Sequence, residues 1–256
     1  MPIVDDVPMQ GSFPQVAGLG FQANGVIVGV ADAPAGIPGK LEIQGDWMVS
    51  TLDESDAWTA SGLRSEMYLS PDARGEWWYK WEFMIPPGWS IDDHKFIVMQ
   101  IHDSPNKSDP GYLPRHPTFL VYVEKASAAD ELHFVVRVPG ATLPTQSEDK
   151  RIVNAVPMEI GRVYRFCLHV NWQIDSTGFR ELFVDGEPIM REYNVPTTYD
   201  DVTGGYLKLG VYRGSTPEDI GHRVAMYRRI QVWSGNDGYQ AVMGGAPIPA
   251  RRLLIA

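Results

Sequence analysis

"YLKLGVYRG", residues 206–214, alternates with the period of an extended chain, placing Leu207, Leu209 and Val211 on one side and Lys208, Gly210 and Tyr212 on the other. The first side is a core face. The second sets a cation, a gap and a phenol in line, which a merely solvated strand has no need to do. The same period runs outward along the chain in "EWWYKWEFMI" (76–85), "HKFIVMQIHD" (94–103), "TFLVYVEK" (118–125), "LHFVVRV" (132–138), "VYRFCLHVNW" (163–172) and "HRVAMYRRIQVW" (222–233). These runs are rich in β-branched and aromatic residues and are bounded by Pro, Gly, Asp or Asn. "FRELFVDGEPIMRE" (179–192) reads as a hairpin turning at Asp185-Gly186. Helical periodicity is weak throughout; "STPED" near Ser215–Ile220 is the best short helical turn. Many evenly spaced strands without helices predict an all-β fold, a two-sheet sandwich in which one sheet curves to leave an open groove.

Composition agrees. The 256 residues include 25 Gly and 20 Pro, with 44% hydrophobic and 21% charged residues. This suits one globular domain over 1–256, with a short C-terminal extension at 243–256. A net charge of −10 argues against nucleic acid as the main partner. Cys167 is the single cysteine, so no intrachain disulfide forms, and a buried apolar role is expected for it. No apolar run reaches the length of a membrane helix, and the acidic, proline-containing start lacks the pattern of a signal peptide. Action outside the cell is still expected, after removal of a signal or on a virus particle.

The faces opposite the core share one chemistry. In "LRSEMYL" (63–69), Arg64, Glu66 and Tyr68 oppose the core set Leu63, Ser65, Met67 and Leu69. In "KFIVMQIHD", Gln100 and His102 oppose the apolar face assigned to Ile97, Met99 and Ile101; in "LHFVVRV", His133 and Arg137 oppose Phe134, Val136 and Val138. Gathered in one sheet, Arg64, Gln100, His102, Arg137, Lys208 and Tyr212 make a cationic groove floor in an acidic protein. Singly, each has a plain structural explanation; four strands presenting acid, base and cations together point to a site. The other histidines show no metal-ligand spacing.

One reaction fits such a set. Breaking a uronic-acid chain by β-elimination requires removal of the weakly acidic C5 proton and protonation of the departing O4. Cations and amides at the neighbouring carboxylate stabilise the anionic intermediate by several kcal/mol per well-placed donor, an order of magnitude set by oxyanion-type sites. A cation beside Tyr212 favours its phenolate, and Gly210 is read as leaving room for a flat sugar ring.

"RSEMY", "VMQIHD", "GRVYRFCLHVNWQIDSTGFRELFVDGEPI" and above all "YLKLGVYRG" resemble the heparin lyase I-like and glucuronan lyase-like polysaccharide lyases, over roughly Leu63 to Trp233. The resemblance implies a concave β-jelly roll of concanavalin-like type and cleavage of an anionic polysaccharide. It implies catalytic roles for Tyr212, as acid or acid and base, and for His102, as base or carboxylate-neutralising group. It also implies substrate binding by Arg64, Lys208 and Gln100, and we count Arg137 and Glu66 with them. The Lys/Arg-rich segments of heparin-cleaving members are missing, so an unsulfated uronan is expected. No cofactor is implied; for Asp53, Glu54 and Asp56, an exposed acidic loop outweighs a structural Ca²⁺. A glycoside hydrolase lacks its facing pair of carboxylates. The stronger rival is a non-catalytic module that binds anionic glycans, since this fold hosts both.

Overall fold

The computed structural model describes residues 19–23, 26–29, 36–56, 58, 62–104, 116–126, 131–139, 150–214 and 220–235. Its strands are β1 (Leu19–Ala23), β2 (Val26–Gly29), β3 (Gly36–Ile37), β4 (Leu41–Gln44), β5 (Trp47–Leu52), β6 (Leu63–Ala73), β7 (Gly75–Met84) and β8 (Phe96–His102). They continue as β9 (Phe119–Lys125), β10 (Leu132–Pro139), β11 (Lys150–Met158), β12 (Tyr164–Trp172), β13 (Phe179–Val184), β14 (Glu187–Tyr193), β15 (Gly205–Arg213) and β16 (Arg223–Ser234). Two eight-stranded sheets result, ordered β11-β10-β9-β8-β15-β6-β1-β2 and β14-β13-β12-β7-β16-β5-β4-β3. The sandwich expected from strand alternation is therefore present. The expected turn at 215–219 and the extension at 243–256 lie outside the described residues.

One core joins the sheets. Leu207, Leu209 and Val211 of β15 are at most 1% exposed and pack with Phe83, Phe166 and Tyr227 of the opposite sheet. Burying each such aliphatic side chain stabilises the fold by roughly 1.5–3 kcal/mol. The β13–β14 hairpin turns at Asp185 and Gly186, both at positive φ (53° and 89°), which is why Asp-Gly stands there.

A bulge at the centre of the first sheet departs from simple alternation. Leu209 pairs with Met99 and Tyr212 with Ile97, so Gly210 and Val211 together face Val98. On its other side β8 has the extra residue, since Ile97 pairs with Tyr122 and Met99 with Val121. Val98 and Met99 thus both enter the core, and Ile97 turns outward beside Tyr212 instead of joining Met99 and Ile101. A bulge leaves ladder groups unpaired. Here the second sheet takes them up: the Tyr227 hydroxyl lies 2.7 Å from the Val98 carbonyl and 3.0 Å from that of Gly210, while the Val211 amide donates to Ser50 Oγ at 3.0 Å.

The same bulge explains Gly210. Its φ is +150°, and an added Cβ would lie 2.0 Å from the Ser65 carbonyl oxygen. The glycine permits the close approach of β15 to β6. The gap is not for a sugar ring.

Candidate functional site

The outward face of the first sheet carries a cleft of about 390 Å³. Strand pairing lays a row across it: Tyr122 opposite Ile97, Ile97 opposite Tyr212, and Tyr212 opposite Arg64. Gln100, His102 and Arg137 line the same cleft. Five expected site residues, Arg64, Gln100, His102, Arg137 and Tyr212, therefore meet on one face.

Glu66 and Lys208 share that face but do not line the cleft. Glu66 is 2% exposed and sits under the cleft, where it collects three partners. Gln100 Nε2 donates to its Oε1 at 2.5 Å, while Arg64 Nη1 and Lys208 Nζ stand 3.4 and 3.5 Å from its Oε2. Gln22 on β1 accepts from Lys208 at 3.1 Å and from Arg64 at 3.4 Å. Glu66 is thus an anchor beneath the site, not a substrate contact. Lys208 is 3% exposed, and burial pushes its ammonium below the ordinary lysine range, opposed by the Glu66 charge. Unlike Gln100, which is equally buried, Lys208 does not line the cleft. Long cations cannot be left unpaired inside a protein, so the sheet folds a carboxylate in with them.

Tyr212 has a different neighbour from the one expected. The Arg64 guanidinium lies over its ring, 4.2 Å from the centroid; Lys208 instead stands 5.5 Å from the ring of Tyr206. Burial raises the Tyr212 phenol above the usual range and outweighs Arg64, with Glu66 adding to the rise. The phenol is therefore held protonated. Beside it, a Cβ on Gly214 would come within 2.6 Å of the hydroxyl oxygen, so the glycine of "YRG" leaves that oxygen accessible.

His102 stands at the other end. It pairs with Tyr206 and lies five positions along β8 from Ile97, a backbone distance of roughly 15 Å. Its ring stacks on Tyr206 at 5.4 Å, and burial lifts that phenol to about 12. Nδ1 lies 2.9 Å from the Asp103 carbonyl oxygen and 3.0 Å from its carboxylate. A proton on Nδ1 is donated there, leaving the Nε2 lone pair as acceptor.

The cleft also contains residues that strand alternation did not single out. Tyr122 is covered by the Arg137 guanidinium at 4.3 Å, and Lys150 Nζ donates to its hydroxyl at 3.0 Å. Arg137 grips Glu124 through two bonds of 2.7 and 2.9 Å, and Lys95 approaches the same carboxylate at 3.5 Å. His116 also lines the cleft. The alternation of "TFLVYVEK" could have flagged Tyr122, but nothing local marks Lys150, which reaches the cleft from the edge strand β11.

Asp53 and Asp56 are not an exposed acidic loop. Lys40 Nζ binds both, at 2.8 and 2.6 Å, His222 Nδ1 stands 2.5 Å from Asp53, and Asp56 is 8% exposed. Lys40 offsets part of the charge of these two carboxylates, and both already have partners. Among the described residues, no group of three or more His, Cys, Asp or Glu is placed to hold a metal.

Comparison with known proteins agrees with this architecture. A family model described as polysaccharide lyase matches residues 40–231. Among solved structures, endo-β-1,4-glucuronan lyase from the fungus Trichoderma reesei superposes with a TM-score of 0.59 at 18% identity, covering 93% of this chain and 96% of that one. An alginate lyase of Pseudomonas aeruginosa gives 0.62 at 14% identity, covering 87% and 100%. A double-cysteine variant of alginate lyase A1-II′ gives 0.66 at 15% identity, covering 91% and 100%. No curated protein matches.

Proposed function

Since the chain belongs to the polysaccharide lyase family, we propose that its substrate is an unsulfated uronic-acid polysaccharide, cut by β-elimination in the cleft of the first sheet. The observation that carries this reading is the meeting of Arg64, Gln100, His102 and Tyr212 at one cleft, where the Arg64 guanidinium and the Gln100 amide, both oriented by Glu66, border the open space. The glucuronan and alginate lyases with the same fold support the substrate class.

Arg64 and Gln100, pre-oriented by Glu66, receive the uronate carboxylate and stabilise the charge that builds on it as C5 loses its proton. His102 Nε2 accepts that proton. Tyr212, kept protonated by burial, donates to O4 as the C4–O4 bond breaks and the C4–C5 double bond forms. Lys208 contributes through Glu66, not by contact. The wide backbone separation of His102 and Tyr212 favours a second assignment within the same reaction. In it Tyr212, first deprotonated to the phenolate against the shift that burial imposes, takes the C5 proton and returns it to O4, and His102 joins Gln100 at the carboxylate.

A panel of unsulfated uronans, assayed by the ultraviolet absorbance of the unsaturated product, tests the proposal. Absorbance growth is expected with at least one uronan and none with neutral glucans. New reducing ends without absorbance would refute it, as would binding without cleavage. His102→Gln then separates the two assignments, since an amide can still donate to the carboxylate but cannot accept the C5 proton: loss of turnover places the base on His102, and retained turnover places both transfers on Tyr212.

A further inference from the structure

Among the described residues, the Arg and Lys side chains at and beneath the cleft fall into two clusters, with Lys150 outside them. Around Glu66 stand Arg64 and Lys208; around Glu124 stand Arg137 and Lys95. Among the described residues, each cluster sets two cations against one carboxylate. Lys150 has no carboxylate partner among the described residues. Its ammonium donates to the Tyr122 hydroxyl and lies 5.7 Å from that ring's centroid.

Placement gives this second group a separate task. Tyr122 lies two strands from Tyr212 across the row, roughly 10 Å by strand spacing. That is too far to serve the carboxylate held by Arg64 and Gln100, yet it lies in the same cleft. Tyr122 is pinned by Arg137, which Glu124 holds in turn, so the surface facing a sugar is fixed in advance. Lys150 is exposed and partly solvated, as a group waiting for an incoming anion should be.

We propose that Lys150 and the Tyr122 hydroxyl, backed by the excess charge of Arg137 and Lys95 over Glu124, form a second carboxylate subsite for a uronate that is not the reacting sugar. The inference rests on the uronan reading and sharpens it. The preferred polymer bears an acidic sugar beside the one cleaved, and affinity depends on chain length.

The test uses the full chain as wild type, Lys150→Ala and Lys150→Arg. Affinity electrophoresis in gels containing polyglucuronate, polymannuronate or a neutral glucan reads binding; steady-state kinetics compares the polymer with the shortest oligomer cleaved. Lys150→Ala should weaken retention by the uronan about fivefold, the scale of one partly exposed ion pair, and added salt should shrink the difference. Lys150→Arg should restore most of it. The kcat/KM loss should be several times larger on polymer than on the shortest oligomer. Equal loss on both, or retention equal to wild type, overturns the subsite, as does no binding of wild type to either uronan. Should wild type bind a uronan without producing unsaturated ends, elimination fails while the electrophoretic comparison still decides the subsite.

Discussion

Glu66→Gln tests the claim that a buried carboxylate organises the site. The substitution keeps shape and volume and removes one charge, so Arg64 and Lys208 face an amide in place of a counter-ion. Gln100 keeps an acceptor, since the new side chain still presents a carbonyl oxygen. Breaking a buried pair by removing one partner costs about 3–5 kcal/mol, because the remaining charge is uncompensated. With 256 residues, and about 2–4 °C of melting temperature per kcal/mol at this size, the expected drop is roughly 6–20 °C. The pH dependence has a definite sign. Lys208 already titrates below its unfolded value of 10.5 through burial, so the unfolded chain binds the extra proton and stability rises with pH across that window. Losing Glu66 lowers the folded value further and extends the window toward neutrality. The penalty is therefore complete below the folded value and fades as pH climbs toward the unfolded one. Melting curves of wild type and variant from pH ~6 to ~10 should converge on the alkaline side. Glu66→Gln/Lys208→Met should recover most of the stability by removing the stranded cation, while kcat/KM stays low because Arg64 has lost its anchor. Melting of Glu66→Gln at the wild-type temperature throughout that range would refute the reasoning, as would failure of the double variant to recover.

Tyr212→Phe should lower turnover by about 10²–10⁴ with little change in affinity, the range for a positioned acid or base. Because burial raises the Tyr212 phenol, the alkaline limb of its kcat profile should lie above the ordinary tyrosine range; a limb at or below that range would count against it as the acid. Gly214→Ala would press a methyl onto the Tyr212 hydroxyl, and activity measured at saturating uronan should fall at least tenfold with melting nearly unchanged; full activity would show that the hydroxyl needs no such clearance. Tyr227→Phe strips the bulge carbonyls of Val98 and Gly210 of their donor, and chemical denaturation should show a loss of about 1–3 kcal/mol; no loss would mean that these carbonyls find other partners.

How much of this is legible in the sequence follows from where the information lies. A strand's period is local, so the two-sided character of β15 and β6, and the placing of Arg64, Gln100, His102, Arg137 and Tyr212 on outward faces, can be read residue by residue. Register is not local. Gly210 and Val211 share the single partner Val98, and no count along either strand reveals that one residue must be skipped. Alternation alone assigns Ile97 to the core, and Gly210 to a sugar, for that reason. Burial is not local either. Glu66 and Lys208 alternate correctly with their neighbours, yet packing across β1, β6, β8 and β15 closes over them. Lys150 enters from a strand whose own pattern is weak.

The charge of the cleft is where these non-local effects matter for chemistry. The alternation pattern suggests a bare cationic floor, and a bare floor is physically untenable: each buried ammonium or guanidinium without a partner would cost several kcal/mol. Full neutralisation would be stable but would leave nothing to attract a carboxylate. Two cations sharing one carboxylate satisfy both demands. The pair fixes the side chains in place, and the unmatched charge remains directed at the cleft in surroundings that screen it less than water does. The cluster at Glu66 lies beneath the row carrying Tyr212, and the cluster at Glu124 lies toward the flank where Lys150 enters. Positive charge at two points of one groove is what the proposed uronan, whose carboxylates recur along its length, would require of an acidic protein.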